Sequence, residues 1–395
     1  MTTSLRRIGL NLLYLVPGEV GGTEIYARNL LAAMTEVEPN LEVVAYVGPE
    51  AADWLDRGDL GPSVTTVVAP GPSRAKPLRA LAETTWLPWR AGRDRVELLH
   101  SFGTTSPPVS LVPSVVTIHD LIYRHYPNTF SRANRLGLRA LVPLGARAAR
   151  RVIADSQAGR LDICETLGID SAKVDVVELG FGQPTSVDPT ARPELADRFR
   201  LGEGPIVLTV SAALEHKNLQ RLIEAFAVVT RDRDATLVVV GHPGREQAQL
   251  VSLAAGLGVS KRTVFTGWVE RRDLEGLYAA ADVFAYPSLM EGFGMPVLEA
   301  MHRDVAVACS NLSALPEVAG DAAEQFDPRS RDSIAAAIAR LLDDLPRRQQ
   351  LIERGRIRQA AFSWERTARQ TLDVYERALS PVLSAAPVRA SIARH

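Results

Sequence analysis

The sequence has little cysteine, little lysine and no long hydrophobic run. Two cysteines among 395 residues, Cys164 and Cys309, exclude a disulfide scaffold and a cysteine-based metal site. No run of about 18 uncharged apolar residues occurs, so the sequence predicts no membrane-spanning helix. A hydrophobic fraction of 46% and a charged fraction of 23% are typical of a globular protein, and the length favours two domains.

The charge of the chain is balanced overall but uneven along it. A net charge of −1 argues against a nucleic-acid partner. Residues 74–160, however, contain 14 basic and 5 acidic residues, a net charge of +9. Over residues 130–148 arginines interleave with leucines, which is typical of a helix that lies on an anionic membrane. A helix with a solvated basic face and a core-facing apolar face is an equally good interpretation.

Short apolar segments alternate with helix-length amphipathic segments along the chain. The apolar segments are rich in β-branched residues on both faces, which indicates parallel strands covered by helices. They form two sets, separated by a polar stretch at residues 182–193. We therefore predict an α/β protein of two doubly wound, Rossmann-like domains facing across a cleft that binds the ligand. The predicted strands are residues 8–13, 41–47, 64–68, 97–100, 115–118, 152–154, 174–177, 206–210, 236–240, 264–266, 283–286 and 305–309.

The predicted domain boundaries follow from this pattern. Residues 1–188 form the first domain and residues 189–360 the second, while residues 361–380 form a helix that crosses back to the first. Residues 381–395, rich in alanine and serine, are predicted to be a disordered tail. The first apolar run lacks a small-residue cleavage site, so we predict a buried strand and not a signal peptide. The protein is then expected in the cytoplasm, at most peripheral to the inner face of the membrane.

Two candidate sites follow strands of the first domain. Gly21, Gly22 and Thr23 precede the first helix, where small residues and a helix N-terminus favour an anion. We expect Thr23 to cap this helix, although such glycines also occur for steric reasons alone. His119 and Asp120 end a strand and are expected to point into the cleft; the alternative is a histidine hydrogen-bonded at a domain edge. No H-x-x-x-H pattern or paired histidine accompanies them, so no metal site is predicted.

Two further candidates follow strands of the second domain. Lys217 comes seven residues after a strand, where a cation suits phosphate oxygens, and it is one of four lysines beside 41 arginines. On its own, a solvated lysine would be the simpler interpretation. The segment from Glu291 to Glu299 contains a glycine-rich turn with Pro296 at the expected helix start, which favours anion binding. On an unbroken helix the two carboxylates would lie about 80° apart, so we expect them to contact different parts of one ligand, unless both only cap the turn.

Several short motifs occur in one order along the chain: Gly21-Gly22-Thr-Glu24, His119-Asp120, Glu215-His-Lys217-Asn218, Thr266-Gly-Trp-Val269, Glu291-Gly-Phe-Gly-Met-Pro-Val-Leu-Glu299, Ser310-Asn311-Leu-Ser-Ala-Leu-Pro-Glu317 and Phe362-Ser-Trp364. Together they resemble the family-4 retaining glycosyltransferases of the GT-B fold, over roughly residues 6–378. The resemblance implies transfer of a hexose from a nucleotide sugar to a hydroxyl of a glycan, lipid-linked or small-molecule acceptor. The donor would resemble GDP-mannose or a UDP- or dTDP-sugar, and neither metal nor cofactor would be needed.

The resemblance also implies how the donor is held. Glu299 would bind the ribose hydroxyls of the nucleotide, while Trp268 and Val269 would line the pocket for the base. Glu291 would bind the hydroxyls of the sugar ring. Three backbone amides would share that task, those of Phe293, Gly294 and Met295.

The reacting groups are implied in the same way. Lys217 would neutralise the departing diphosphate, and His119 would lie near the anomeric carbon and the primary hydroxyl of the sugar. Amides after Gly21 and Gly22 would contact the phosphates or the acceptor. We therefore predict Lys217, Glu291 and His119 as catalytic residues. The motifs contribute four more predicted substrate-binding residues: Thr23, Asp120, His216 and Asn218.

The sequence departs from the family pattern at two places. His216 occupies a position where family members usually have an arginine, and the other usual arginine position falls at residues 212–213, both alanine. The loop that closes the first domain reads Leu179-Gly-Phe-Gly182 in place of Asn-Gly-Val-Asp. Two other functions stay open: a nucleotide-sugar epimerase or hydrolase of the same fold, and a two-domain protein that binds sugar without chemistry.

Overall fold

The structure, a computed structural model, describes residues 5–54, 63–182 and 187–380. The predicted disordered tail at residues 381–395 lies outside the described residues. Thirteen strands are present in this part of the chain: β1 (Arg7–Leu12), β2 (Glu42–Val47), β3 (Val64–Val68), β4 (Leu98–Ser101), β5 (Ser114–Ile118), β6 (Arg151–Ala154), β7 (Val174–Val176), β8 (Ile206–Val210), β9 (Thr236–Val240), β10 (Thr263–Gly267), β11 (Val283–Tyr286), β12 (Ala306–Ser310) and β13 (Ala323–Phe326).

Helices connect these strands. They begin and end as follows: α1 (Gly22–Val37), α2 (Lys76–Leu81), α3 (Leu87–Arg93), α4 (Ile122–His125), α5 (Arg132–Ala148), α6 (Gln157–Leu167), α7 (Arg192–Phe199), α8 (Leu219–Val229), α9 (Gln247–Gly256), α10 (Arg271–Ala280), α11 (Met295–His302), α12 (Leu315–Ala319), α13 (Arg331–Asp343), α14 (Leu345–Ala360) and α15 (Trp364–Leu379).

The strands form two wholly parallel sheets. The first sheet has seven strands in the order β3-β2-β1-β4-β5-β6-β7, and the second has six in the order β10-β9-β8-β11-β12-β13. Central strands such as β5, β9 and β11 are buried along their whole length. Since both faces are covered by helices, apolar residues fill successive positions of each strand. The two predicted Rossmann-like domains are thereby confirmed.

The predicted strands agree with the structure within one residue at most ends, and one strand was missed. Strand β13 pairs with β12 at the edge of the second sheet but contains Glu324 and Gln325. Glu324 is buried but forms ion pairs with Arg340 and Arg347, and Gln325 is exposed to solvent, so neither side chain needs an apolar neighbour. The sequence of β13 therefore lacks the apolar run that identified the others.

Helix α15 follows the second sheet in sequence but packs on the first domain. Its Thr367 donates a hydrogen bond to the carbonyl of Glu178 at 2.8 Å, and Tyr375 contacts His100 of β4 at 2.7 Å. The chain passes between the domains twice, once after Phe181 and once near Phe362, and we call these two segments the chain crossings. The amide of Phe181 donates to the carbonyl of Phe362 at 3.1 Å, so the two crossings are in contact.

Helix α5 lies within the basic segment, and its N-terminal half is unusually exposed. Arg132, Leu136 and Arg139 all face solvent there, whereas Val142 and Ala146 further along are buried. In the described part of the chain, no helix is both long and apolar enough to cross a membrane.

Candidate active site

The carboxyl ends of the two sheets meet at the cleft between the domains. The turn before α11 reaches across this cleft, and a Cβ added at Gly292 would stand 1.7 Å from the carbonyl oxygen of His119. Only glycine therefore allows the second domain to approach His119 so closely. The cavity that remains between Gly292 and α6 has a volume of about 20 Å³, room for about one water.

Lys217 and Glu291 form an ion pair at the centre of this cleft. The Lys217 Nζ donates to the Glu291 carboxylate at 2.6 Å and to the Tyr286 hydroxyl at 3.0 Å. Tyr286 itself donates to the same carboxylate oxygen at 2.8 Å. The side chains of Lys217 and Glu291 are only 16% and 11% exposed. A partly buried cation is thus held where the ends of β8 and β11 come together, available to an anionic ligand.

The backbone of Glu291 is fixed by a residue from a distant loop. The Ser313 hydroxyl donates to the Glu291 carbonyl at 2.7 Å and accepts from its amide at 3.2 Å. Ser313 has φ of 58°, a left-handed conformation that costs energy for a residue other than glycine. Burial raises the pKa of Glu291, but the charge and hydrogen bond of Lys217, together with the hydrogen bond of Ser288 and the effect of His216, lower it, and the net shift is downward. Glu291 is therefore ionised near neutral pH.

His119 has both ring nitrogens occupied within the first domain. Its Nδ1 contacts the Asp155 carboxylate at 2.8 Å, and its Nε2 contacts the Phe102 carbonyl at 2.9 Å. Both partners accept hydrogen bonds, so the ring must carry hydrogen on both nitrogens. Burial lowers the pKa of His119, while Asp155 raises it by its charge and hydrogen bond, and the net shift is upward. The ring places a positive charge beside the cleft, and the His119 carbonyl faces the Gly292 turn.

Asp120 lies next to His119 on the same edge. Its Oδ1 accepts from the Ile122 amide at 3.0 Å. Burial raises its pKa, and the nearby charge of Glu291 adds to that shift against the opposing effects of His119 and Lys217. The two carboxylates of the cleft therefore have pKa values shifted in opposite directions, downward for Glu291 and upward for Asp120.

His216 is buried and uncharged. Burial, followed by the charge of Lys217, lowers its pKa to about 4. Its Nδ1 has no hydrogen-bond partner among the described residues, and its ring lies 5.8 Å from that of Tyr126 in the first domain. His216 does not supply the positive charge of the arginine that usually stands at this position. Asn218 holds the turn in place instead of facing the cleft, because its amide nitrogen donates to two carbonyls, those of Pro287 and Pro328.

Glu299 lies inside α11, apart from Glu291 in the preceding turn. Its carboxylate accepts from the Tyr278 hydroxyl at 3.2 Å, and burial raises its pKa. Because α11 begins only at Met295, the two glutamates do not share one helix, and each has its own partners. The indole of Trp268, which follows β10, is 66% exposed, while Val269 packs partly against the core.

The glycine-rich turn leaves amides free at the start of α11. The helix has Gly294 as its N-cap, with φ of 119° and no side-chain cap. Phe293 is buried with its ring 5.6 Å from that of Phe362. Pro296 has no amide hydrogen and the Val297 amide donates to the Gly294 carbonyl at 3.0 Å, so in the first turn of α11 it is the Met295 amide that is suited to an anion or to sugar oxygens.

The corresponding turn of the first domain differs from its prediction. The N-cap of α1 is Gly21, without a side-chain cap, and the Thr23 hydroxyl donates back to the Val20 carbonyl at 3.0 Å. The expectation that Thr23 caps this helix is therefore wrong, because Thr23 lies two residues beyond the N-cap position, inside the helix. The loop is held by Glu24, whose carboxylate accepts from the Gly18 amide at 2.7 Å. The amides of Gly22 and Thr23 begin the helix and face no intrahelical acceptor.

A second polar cluster lies at the carboxyl edge of the first sheet. Glu83 is buried there, and its carboxylate accepts from Asn11 Nδ2 at 2.8 Å and from the Thr105 hydroxyl at 3.0 Å. Glu83 stands in a π-helical turn, Ala82–Trp86, which widens the helix between α2 and α3. Burial raises its pKa. No sequence motif pointed to Glu83, and only the fold brings it beside β1 and β4.

Two facing Rossmann-like domains with a cation and carboxylates in the cleft define a glycosyltransferase of the GT-B type. Residues 20–181 match the family model described as Glycosyltransferase Family 4, and residues 192–358 match Glycosyl transferases group 1. Sucrose-phosphate synthase from Thermosynechococcus elongatus has a similar structure, with a TM-score of 0.72, 20% identity and coverage of 94% of this chain and 98% of that one. WaaG, a glycosyltransferase involved in lipopolysaccharide biosynthesis, gives a TM-score of 0.68 at 18% identity, covering 93% and 99%.

Relatives at the sequence level include several mannosyltransferases. O-antigen chain mannosyltransferase B from Escherichia coli is 30% identical over 275 residues, which cover 68% of this chain and 71% of that one. The MMP alpha-(1->4)-mannosyltransferase from Mycolicibacterium hassiacum is 31% identical and covers 61% and 58%. WbdA from Escherichia coli, 31% identical over 58% of this chain, is matched along only 29% of its length. The chain belongs to glycosyltransferase family 4, as its motifs had predicted.

Proposed function

We propose that this glycosyltransferase moves a hexose from a nucleoside diphosphate sugar to a hydroxyl acceptor, with retention and without a bound metal. The observation that supports this most directly is the Lys217 ammonium, held at 2.6 Å from Glu291 in the cleft. A diphosphate that enters beside Lys217 would take over part of its charge pairing. Glu291 would then be free to accept hydrogen bonds from sugar hydroxyls.

The proposed reaction proceeds at one face of the sugar. The bond from the anomeric carbon to the diphosphate oxygen breaks through an oxocarbenium-like state, and the bond to the acceptor oxygen forms on the same face. The departing diphosphate takes the proton of the acceptor hydroxyl, so no side chain has to act as a strong base. Since His216 is uncharged, Lys217 and the free amides of the two turns carry the stabilisation of the leaving group.

The acceptor would approach from the first domain. The amides after Gly21, the Asp120 carboxylate and the buried Glu83 all lie at the carboxyl edge of its sheet. His119 contributes its backbone carbonyl and a positive field near the anomeric carbon, because both ring nitrogens are engaged. A glycan, a lipid-linked sugar or a small molecule with a free hydroxyl would fit this role.

A mannosyl donor with a guanine base is the proposed substrate, with UDP- and dTDP-sugars as alternatives. The mannosyl group is supported by the mannosyltransferases that align with more than half of this chain. The guanine base is supported by a GDP-mannose-dependent mannosyltransferase from Mycobacterium tuberculosis, 36% identical over 40% of this chain. A thermal-shift series with nucleoside diphosphates and nucleotide sugars tests it, because a ligand stabilises the fold in proportion to ln(1 + [L]/Kd). GDP and GDP-mannose should raise Tm most.

Substitution of Lys217 tests the proposed chemistry. Lys217→Met keeps the length of the side chain and removes the charge, so turnover should fall about 10²- to 10³-fold. Lys261→Met, at an exposed site away from the cleft, is the matched control and should transfer sugar at the wild-type rate. Turnover that is unchanged in Lys217→Met would refute the assignment. Release of free or epimerised sugar by the wild type without an acceptor would instead favour an epimerase or hydrolase, and binding without conversion a sugar-binding protein.

A peripheral contact with anionic membrane at the cytoplasmic face is the proposed location of the reaction. It is supported by α5, where Leu136 is 64% exposed between the exposed Arg132 and Arg139. The wild type should co-sediment with vesicles that contain phosphatidylglycerol and not with pure phosphatidylcholine. The double variant Leu136→Ser with Arg139→Glu should lose this binding. Sedimentation that does not depend on anionic lipid would exclude the contact.

A further inference from the structure

A carboxylate of the second domain caps a helix of the first. Glu317, on α12, accepts a hydrogen bond from the Gln157 amide at 2.7 Å and another from the Ala158 amide at 2.6 Å. These amides begin α6, whose remaining first-turn amide, that of Gly159, is bonded to the Ser156 hydroxyl at 2.9 Å. Negative charge is favourable at a helix N-terminus because the peptide dipoles align there. The cap is therefore complete only when the domains are in contact.

Ser156 makes a second bond across the cleft from the same place. While its oxygen accepts from Gly159, its hydroxyl hydrogen is donated to the Gly292 carbonyl at 2.8 Å. Gly292 is the residue after Glu291, in the turn that packs against the His119 carbonyl. This bond between the domains is thus one residue away from Glu291, which pairs with Lys217.

Helix α12, which carries Glu317, is held in place by Arg358 of α14. Arg358 of α14 donates to the Glu317 carbonyl and, through Nε, to the Val318 carbonyl at 2.9 Å. The guanidinium also stacks 4.8 Å from the ring centre of Phe362, at the second crossing between the domains. Ser313, in the loop that leads into α12, hydrogen-bonds to both the amide and the carbonyl of Glu291. The carboxylate of Glu317 and the backbone of Glu291 therefore belong to one connected unit.

We infer that Glu317 and Ser156 form an interdomain clasp that closes the cleft and sets the position of the Glu291 turn for transfer. Glu317 is a positioning residue, because it acts through the turn and touches neither sugar nor phosphate. In the open protein its carboxylate is hydrated and the amides of α6 bond to water. On closure the carboxylate and the amides lose their waters and bond to each other. The Glu317 charge is therefore not buried without a hydrogen-bond partner. The role in transfer rests on the proposed function, whereas the clasp itself does not.

The test compares Glu317→Ala with Glu353→Ala, a control at an exposed glutamate of α14. Small-angle X-ray scattering of the full chain with GDP should show a larger radius of gyration for Glu317→Ala than for the wild type and control. The affinity for GDP, which the second domain binds, should change less than about twofold. If the wild type transfers sugar, kcat of Glu317→Ala should be about 10- to 100-fold lower, with little change in KM for the donor. The reason is that the Glu291 turn would be displaced from its position for transfer.

Further variants separate the clasp from simple damage to the fold. Glu317→Gln keeps one acceptor oxygen, so it should close partly and recover part of kcat. Adding Ser156→Ala to Glu317→Ala should cause little further loss of kcat or increase in radius of gyration, because both residues hold the same contact between the domains. An unchanged radius of gyration in Glu317→Ala, or equal loss of GDP affinity and kcat, would overturn the inference. If the wild type transfers no sugar at all, the proposed function fails while the scattering result still decides the clasp.

Discussion

Acid should weaken the attachment of the C-terminal helix through one buried histidine. His100, on β4, is fully buried and lies between Tyr375 of α15 at 2.7 Å and Thr117 of β5 at 2.8 Å. Burial, followed by the charge of His119, lowers the pKa of His100 from 6.5 to about 3. His100 is therefore neutral in the folded protein, and its ring joins the helix to the sheet.

The size of the effect follows from the difference between the two states. In the unfolded chain His100 takes up a proton below pH 6.5, whereas in the folded protein it does so only near pH 3. The contribution of His100 to stability is complete above its unfolded-state pKa of 6.5 and is lost as the pH falls toward its folded-state pKa of about 3. At about pH 4.5 the loss is roughly 2–3 kcal/mol, since each pH unit corresponds to about 1.4 kcal/mol. With an m-value of about 1–3 kcal/mol/M, the urea midpoint should fall by on the order of 1 M.

The assay compares urea midpoints at about pH 7.5 and pH 4.5 for the wild type and for His100→Gln. Glutamine retains a donor and an acceptor but does not titrate, so the variant should lose roughly 2–3 kcal/mol less between the two pH values. Other titrating groups are shared by both proteins and cancel in the comparison. His242→Gln, at an exposed site, is the control and should follow the wild type. The same pH dependence in His100→Gln and wild type would refute the assignment.

Three further predictions concern the site and its supports. Glu299→Gln should weaken GDP binding about tenfold or more by calorimetry, and wild-type binding should decline as the pH falls, because burial raises the Glu299 pKa; equal affinity would argue against a ribose contact. Gly145→Ala should cost about 1–3 kcal/mol in urea unfolding, since a Cβ there would lie 2.6 Å from a backbone oxygen, whereas Gly137→Ala in the same helix, with nothing within 4 Å, should be neutral or stabilising. Asp155→Asn should lower the pKa of His119 in an NMR titration, because the charge that holds the imidazolium is removed.

The sequence pattern identifies buried strands well because such strands leave a simple signature. Ile206–Val210 and Thr236–Val240 consist of β-branched and aliphatic residues, and both were predicted at their observed ends. Ala323–Phe326 carries two polar residues at a sheet edge and was missed. Local patterns also misplace caps, as at Thr23, since a difference of one or two residues in a helix start changes which hydroxyl can reach the amides.

The candidate site was predictable where a motif carries it and not where the fold assembles it. Lys217 and Glu291 belong to separate motifs, and the structure brings the Lys217 Nζ to 2.6 Å from the Glu291 carboxylate. Tyr286 and Ser313 also bond to Glu291, but a tyrosine in a strand and a serine in a loop have no distinguishing spacing, so the sequence does not predict them. Glu317 belongs to a motif that gives this residue no role of its own. Its contact with Gln157 joins residues 160 positions apart, which only the folded chain can show.

The paired chain crossings determine how the two domains can move. A Cβ at Gly180 would stand 2.4 Å from the Trp364 amide nitrogen, and the Phe181 amide bonds to the Phe362 carbonyl at 3.1 Å, so the crossings run in contact. Two chain segments in contact resist twisting and sliding of the domains against each other far more than they resist bending. We therefore expect the cleft to open mainly by bending about this edge, and a single break in either crossing would leave the two domains covalently joined. Ligand entry and product release would then depend on the same bending motion.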